Sequence, residues 1–319
     1  MTRQVVIGSF TLDDTVLPSN EVRRRVNGGN ALYAVIGSRV WSRRVGVVTR
    51  VGNQFPSEDL EAISDHHIDT TGIRRKDAQD IRLWILYEEG MDRQIIYQLK
   101  SGSIKDLSPQ PADWPESYQD VRYVHLCGIP FKAQMQWINK LKPLGIEFTL
   151  DLLPMPQLRS AKGLELLKSG NLLREISVFL PSLEEVVEVW GGQPLLPLMY
   201  KLAEYGPKVV AVKLGSLGSL VLDAEKNSAY LVPAMSVETI DTTGAGDAYC
   251  GGFLAGMDQT GDPLEAALRA TISASFIIQD FGAVHGLNAQ PSEARNRLEI
   301  LRGQVTDKVP ATIGDLKVL

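Results

Sequence analysis

The chain reads as an α/β protein: a mostly parallel sheet with helices packed on it, plus a small β-sheet lid. Three observations predict this. Short apolar runs alternate with longer amphipathic stretches through the first two thirds. The last third instead has three close-set β-rich runs followed by three helical patterns. A hairpin signal interrupts the alternation at 81–99.

The apolar runs lie at 5–7, 45–49, 121–126, 147–150, 178–180 and 209–214, and each reads as a buried strand. Between them, helical periodicity covers 29–41, 57–66, 132–141, 183–190 and 194–205. Apolar strands separated by such helices imply parallel βαβ units. The runs at 219–222, 229–232 and 237–240 are closer together and read as antiparallel. Helical patterns follow at 248–257, 263–279 and 292–301. In the hairpin, I-R-L-W-I-L-Y and Q-I-I-Y-Q-L flank E-E-G-M-D-R, with Gly90 at the turn. The polar stretch 13–25 has no helical period. Segments 13–25 and 81–101 together suggest a small antiparallel flap on one domain spanning 1–319, with 302–319 as a C-terminal extension.

The chain has 319 residues and a formal net charge of −5, which argues against a general nucleic-acid binder. Two cysteines, Cys127 and Cys250, form no disulfide framework. None of the four histidines pairs with another at helical zinc spacing. There is no apolar run of membrane-spanning length and no leader-like start, so the expectation is a cytoplasmic protein.

The strongest chemical signal is D-T-T-G-A-G-D-A-Y-C-G-G-F-L-A-G at 241–256. Gly244, Ala245 and Gly246 allow a tight turn with exposed backbone, and a helix follows at once. Free N–H groups at a helix start form an anion site. Asp247, in the first helical turn, is placed to take a proton from a hydroxyl that attacks phosphorus there. Read alone, Asp247 is equally a helix cap. D-T-T-G also occurs at 69–72, where it runs into I-R-R-K-D with no small-residue turn and reads as a turn into a strand. The specificity therefore resides in A-G-D and the glycine-rich helix.

With these residues in view, the chain resembles the ribokinase-like (PfkB) carbohydrate kinases. The 241–256 string is similar to their C-terminal signature. V-N-G-G-N-A-L-Y-A-V-I-G-S-R-V and R-V-G-V-V-T-R-V-G-N-Q-F-P are similar to their N-terminal signature region, and V-V-I-G-S-F-T-L-D to their first strand. The likeness runs from about 5 to about 301. It implies a three-layer α/β/α sandwich with a lid, and ATP-dependent transfer of the γ-phosphate to a sugar-like hydroxyl. Asp247 would be the general base, with Gly244, Ala245 and Gly246 as anion hole. Asp13, with Asp14 as the alternative, would bind acceptor hydroxyls together with Gly28, Gly29 and Asn30. Nucleotide would lie along Lys213, Gly215 and Gly218 and beside Gly282, Ala283 and Gly286. Relatives use Mg²⁺ with ATP, some hold K⁺ near Asp241, Thr243 and Ala283, and some pair their lids as homodimers.

Two residues depart from the pattern. Tyr33 stands where ribokinase carries an asparagine. The N-x-x-E motif reads S-L-E-E, keeping Glu185, an indirect Mg²⁺ ligand by resemblance, but placing Ser182 at the asparagine. Ribose is therefore doubtful as acceptor, a nucleoside kinase is an alternative, and so is a regulatory protein that kept the fold without turnover. No G-x-G-x-x-G follows the first strand, as a dehydrogenase would need, and no P-loop is present. His125 reads as a core histidine, and Trp84 and Tyr97 as rim residues or sugar-stacking rings.

Overall fold

A computed structural model describes residues 1–88, 93–152 and 161–306; the expected turn glycine, Gly90, lies outside them. The chain runs β1 (Gln4–Ile7), β2 (Thr11–Val16), β3 (Val22–Gly28), α1 (Asn30–Arg39), β4 (Val45–Val51), α2 (Ser57–Asp65) and β5 (Asp69–Arg75). Then come β6 (Arg82–Tyr87), β7 (Arg93–Tyr97), α3 (Ile104–Leu107), β8 (Tyr123–Leu126), α4 (Phe131–Leu141), β9 (Glu147–Leu150) and α5 (Ala161–Lys168). The remainder is β10 (Val178–Phe179), α6 (Leu183–Trp190), α7 (Leu195–Ala203), β11 (Val209–Lys213), β12 (Ser219–Asp223), β13 (Ser228–Val232), α8 (Ala245–Thr260), α9 (Pro263–Ile277) and α10 (Pro291–Arg302).

The main sheet has nine strands in the order β13-β12-β11-β10-β9-β8-β1-β4-β5. All pairs from β11 to β5 are parallel, and β12 and β13 close one edge as an antiparallel hairpin. Strand alternation divides the core. Val5 and Ile7 face one layer, with Trp137 and Leu141 of α4 and Leu198 of α7; Val6 faces the other, with α1. The chain leaves β1 toward β4 on one side and later returns to β8 on the other, so β1 is the topological switch point. Ligands of open α/β sheets bind beyond the carboxyl ends of strands there.

On the α1 side, α8 lies unusually close. A Cβ on Gly251 would sit 1.7 Å from the Ala34 carbonyl oxygen, and one on Gly37 2.3 Å from that of Ala248. A Cβ on Gly252 would meet Ala270 Cα at 2.7 Å. The glycines following Asp247 thus serve helix packing, Gly251 against α1 and Gly252 against α9.

The lid is a four-stranded sheet, β3-β2-β6-β7. Its central pair, β2 with β6, is parallel, which corrects the expectation of an antiparallel flap. The two lid segments are far apart in sequence and enter in the same direction, so each brings its own hairpin and the two join edge to edge. The run 237–240 forms no strand, again against expectation. Part of the β13 edge is instead taken by Thr306, which exchanges backbone hydrogen bonds with Leu231. Ile240 is left 41 % exposed, and its N–H and that of Asp241 both donate to the Ile278 carbonyl. No described helix is long and apolar enough to cross a membrane.

Candidate active site

Helix α8 begins on Gly244, whose backbone is left-handed at φ 75°, a conformation that disfavours side chains. Any Cβ there would also collide with the Tyr33 ring at 2.2 Å. The tyrosine that departs from the ribokinase pattern therefore forms the floor of the turn. Asp247 is an acidic residue in the first turn of α8, where the helix dipole favours negative charge. Of the three expected anion-hole residues, Ala245 already donates its N–H to the Thr242 carbonyl, at a long 3.2 Å.

The acceptor-side residues gather at the switch point. Asn30 opens α1; its Oδ1 accepts from Ser9 N at 2.8 Å and its Nδ2 donates to the Gly128 carbonyl at 2.9 Å. It thereby ties the loops after β1 and β8 together. Gly29 has φ 98°, and a Cβ there would lie 2.4 Å from the Ser9 carbonyl oxygen. A Cβ on Gly28 would sit 2.2 Å from Asp13 Oδ2. Asp13 is 3 % exposed, and its Oδ1 has no hydrogen-bond partner among the described residues. Burial pushes its carboxyl up to about 7; the nearby Thr11 hydroxyl opposes the shift, and the charges of Asp14 and Asp241 add to it. Asp14 is turned to other work: its Oδ1 accepts Arg25 N at 2.8 Å, and Arg24 lies 3.8 Å from its Oδ2. That arrangement separates two neighbours the sequence left as alternatives.

Tyr33 links the two sides. Its phenol is held well above its ordinary pKa by burial and then by the charges of Asp13, Asp241 and Asp247, with Tyr87 also contributing. The charges of Asp13 and Asp247 thus both act on one buried hydroxyl.

A second cluster lies at the carboxyl ends of β9, β10 and β11. Lys213 Nζ donates to Asp151 Oδ2 at 2.5 Å and lies 3.6 Å from Cys250 Sγ. A Cβ on Gly246 would be 3.6 Å from the same Nζ, so the ammonium borders the start of α8. Burial works against this charge, but Asp151, Cys250 and Glu185 outweigh it and hold Lys213 well above its ordinary value. Glu185 is pushed up to about 8 by burial and by Asp151. Ser182, in the asparagine's place, caps α6: Ser182 N donates to Glu185 Oε2 at 2.7 Å, and Glu185 N to Ser182 Oγ at 3.3 Å. Asp151 carried no sequence motif; its one signal was a carboxylate directly after an apolar strand.

On the expected nucleotide side, Gly215 and Gly218 bracket the turn between β11 and β12, both with positive φ. A Cβ on Gly215 would meet nothing within 4 Å, whereas one on Gly218 would strike the Val232 carbonyl oxygen at 2.1 Å. Gly215 leaves open surface, and Gly218 serves packing. Gly286 packs against Ile277, and Ala283 is fully buried. The loop carrying Gly282 and Ala283 is gripped by the lid: Asn27 Oδ1 accepts the N–H groups of Ala283 at 2.9 Å and Val284 at 3.1 Å. Sequence reasoning missed Asn27.

Two further lid residues are sorted by register. Leu83 pairs with Tyr97 and Trp84 with Ile96, so Tyr97 and Trp84 lie on opposite faces. Tyr97 shares the face of Leu83, Ile85 and Tyr87. Trp84 lies beneath the guanidinium of Arg24, 6.0 Å from the ring centre. His125 is a core residue: its Nδ1 meets Thr149 Oγ1 at 2.8 Å, and burial pushes it down to about 4.

Tyr87, also missed, projects from β6 into the D-T-T turn. Its hydroxyl donates to Asp241 Oδ1 at 2.7 Å and lies 2.7 Å from Thr243 Oγ1. The phenol thus bonds one oxygen on each of two side chains that the resemblance places near K⁺.

Known proteins share this chain's sequence pattern and fold. Residues 2–290 match the pfkB family of carbohydrate kinases. A cytidine kinase from Thermococcus kodakarensis is 29 % identical over 265 residues, covering 83 % of this chain and 91 % of that protein. A 2-dehydro-3-deoxygluconokinase from Escherichia coli is 25 % identical over 263 residues, 78 % of this chain and 85 % of the other. Among solved structures, a ribokinase from Giardia lamblia superposes with a TM-score of 0.76 at 20 % identity, covering 94 % of this chain and 99 % of that one. A Burkholderia thailandensis nucleoside kinase in complex with inosine gives 0.76 at 16 %, covering 94 % and 97 %. The superpositions carry the fold, and the family match extends through both signatures; the chain therefore belongs to the pfkB family of carbohydrate kinases and is a phosphotransferase.

Proposed function

We propose that this enzyme moves the γ-phosphate of ATP onto a hydroxyl of a sugar-bearing small molecule, with Asp247 as general base. The observation that carries this reading is the start of α8 at the switch point: Asp247 stands in its first turn directly after left-handed Gly244, which packs on Tyr33 of α1. An acceptor lying over Gly28 and Gly29 gives hydroxyl donors to the unpartnered oxygen of Asp13. Its attacking hydroxyl loses its proton to Asp247 as the oxygen bonds to phosphorus, and the bond from phosphorus to the ADP oxygen breaks in line. Backbone amides at 244–246 and the Lys213 ammonium receive the charge on the transferring oxygens. The ATP side is the open turn at Gly215 and the loop at Gly282 and Ala283.

Mg²⁺ fits as a nucleotide-borne ion. Glu185 and Asp151 repel one another beside a single described ammonium, Lys213, and a hydrated cation reached through water would relieve that repulsion. When bound, it would spread charge over the phosphates. Two free, buried cysteines suit a reducing cytoplasmic setting.

A nucleoside is the acceptor class the lid favours over a free sugar. Leu83, Ile85, Ile95 and Tyr97 share the face that carries Tyr87 into the site, and Ile95 and Tyr97 are 42 % and 44 % exposed. That surface suits a planar apolar base beyond the sugar. The test is ADP release from MgATP with cytidine, uridine, inosine, ribose, 2-deoxyribose and 2-dehydro-3-deoxygluconate. A nucleoside giving at least ten times the kcat/KM of each free sugar is expected. A free sugar as best acceptor overturns the nucleoside reading, and no acceptor-stimulated release overturns the kinase reading in favour of a binding protein.

A further inference from the structure

Tyr87 is the point at which the lid reaches the phosphate turn. Its ring is 6 % exposed, and its hydroxyl bridges Asp241 Oδ1 and Thr243 Oγ1 at 2.7 Å each, with Thr242 Oγ1 at 3.4 Å. Asp241 is 2 % exposed. A buried carboxylate requires donors, and its Oδ1 has two: the phenol, and Thr243 N at 2.8 Å. The second donor is local to the turn. The first belongs to β6, a strand of the lid sheet. Thr243 immediately precedes Gly244, where α8 begins.

The same lid sheet grips the other side of the site through Asn27, at the end of β3, which holds Ala283 N and Val284 N. Both contacts run from lid side chains to loops of the main sheet. A lid swung away from the site would strip Asp241 of a charge-assisted hydrogen bond and leave the turn leading into α8 held by its own backbone and by the Ile278 carbonyl, with no side-chain donor on Asp241 Oδ1.

We propose that Tyr87 is a positioning residue that makes assembly of the 244–246 anion hole depend on lid closure. The acceptor shuts the lid, the phenol docks on Asp241 and Thr243, and the amides at the start of α8 then take their final places. ATP bound before the acceptor meets an unfinished hole, which suppresses transfer to water. The inference rests on the phosphotransfer reading above. It requires no cation at Asp241, because the phenol supplies the donor there.

The test compares full-length wild type with Tyr87→Phe, which keeps the buried ring and removes the hydroxyl. With the best acceptor, kcat should fall about 10-fold, the scale of one charge-assisted hydrogen bond, while the KM for ATP changes less than twofold. The ratio of ATP hydrolysis to transfer should rise. Amide exchange across 241–246, measured with acceptor and a non-hydrolysable ATP analogue, should accelerate; a merely structural ring would not move it. Thr243→Val should reproduce the kcat loss, and the double variant should lose no more than either single one. Tyr87→Phe with transfer within twofold of wild type and unchanged exchange overturns the latch. Additive losses in the double variant overturn it equally. Asp247→Asn run in parallel separates the two readings: full turnover in that variant overturns the base assignment, whereas a dead Asp247→Asn beside a fully active Tyr87→Phe overturns the latch alone.

Discussion

Replacing Asp13 with asparagine should make the protein more stable while disabling it, and the gain should depend on pH in a defined direction. The carboxyl is raised from 3.8 to about 7, chiefly by burial. Its folded form therefore binds a proton more tightly than its unfolded form. Between about pH 4 and pH 7 the folded state holds more protons, so stability falls as pH rises through that window and the full penalty is present above it. Three units at about 1.4 kcal/mol each set an upper bound of about 4 kcal/mol at pH 8, and local relaxation brings the expectation to about 2–4 kcal/mol. Asparagine keeps the shape and cannot ionise. With an unfolding entropy of about 2 cal/mol/K per residue, a chain of 319 residues should show a Tm gain of about 3–6 °C at pH 8. Near pH 4.5 the gain should shrink to about 1.5 °C. Thermal unfolding at fixed ionic strength from pH 4.5 to 8 measures this. The acceptor KM should rise about 10- to 100-fold, because hydroxyl donors lose a charged partner. A variant no more stable than wild type at pH 8, or a gain that does not vary with pH, refutes the claim that this carboxylate is desolvated and unpaired.

Three other substitutions test the remaining parts of the site. Asp247→Asn should lower kcat by about 10² to 10⁴ with little change in Tm or nucleotide affinity, measured by ADP release and calorimetry. Gly28→Ala places a methyl 2.2 Å from Asp13 Oδ2; the acceptor KM should rise at least about 10-fold while the KM for ATP holds. Lys213→Met leaves Asp151 buried without its partner and should cost about 3–5 kcal/mol of stability in denaturant unfolding. Adding Asp151→Asn should restore most of that stability but not turnover, since the ammonium beside Gly246 is still missing.

The sheet and its helices were legible because periodicity and apolar runs depend on burial, which is local in sequence. The helix read at 183–190 coincides with Leu183–Trp190, and the hairpin read at 81–99 resolves into paired β6 and β7. The run at 237–240 has strand-like composition but no partner: the sheet ends at β13, whose edge Thr306 partly covers. Composition cannot reveal that no neighbouring edge is available. The parallel pairing of β2 with β6 was hidden for a related reason, since neither segment alone specifies its partner. In the site, Gly244 to Asp247 were readable because backbone conformation and helix start are local. Asp151, Asn27 and Tyr87 were not. Each acts on residues more than 60 positions away; Asp151 and Tyr87 belong to no motif, and Asn27 sits in the N-terminal signature string without a chemical signal of its own. Tyr33 was noticed only as a departure; its role as floor of the turn needed α1 and α8 side by side.

The electrostatics of the site have one common direction. Asp13 at about 7 and Glu185 at about 8 are both held toward the neutral form by burial and by neighbouring carboxylates. Each is also next to a place where a ligand would favour the charged form: acceptor hydroxyls at Asp13, and a hydrated cation carried by ATP near Glu185. Binding of either ligand therefore draws the adjacent carboxyl toward ionisation and releases a proton below about pH 8, so both affinities should strengthen as pH rises toward that value. The repulsion that weakens the empty protein is thus the term that substrates remove on binding. Lys213, compensated by Asp151 from the start, remains charged throughout and keeps its position beside the anion hole. The mobile charge is assigned to the two ends of the site and the fixed charge to its centre, as a transfer reaction with two separate substrates requires.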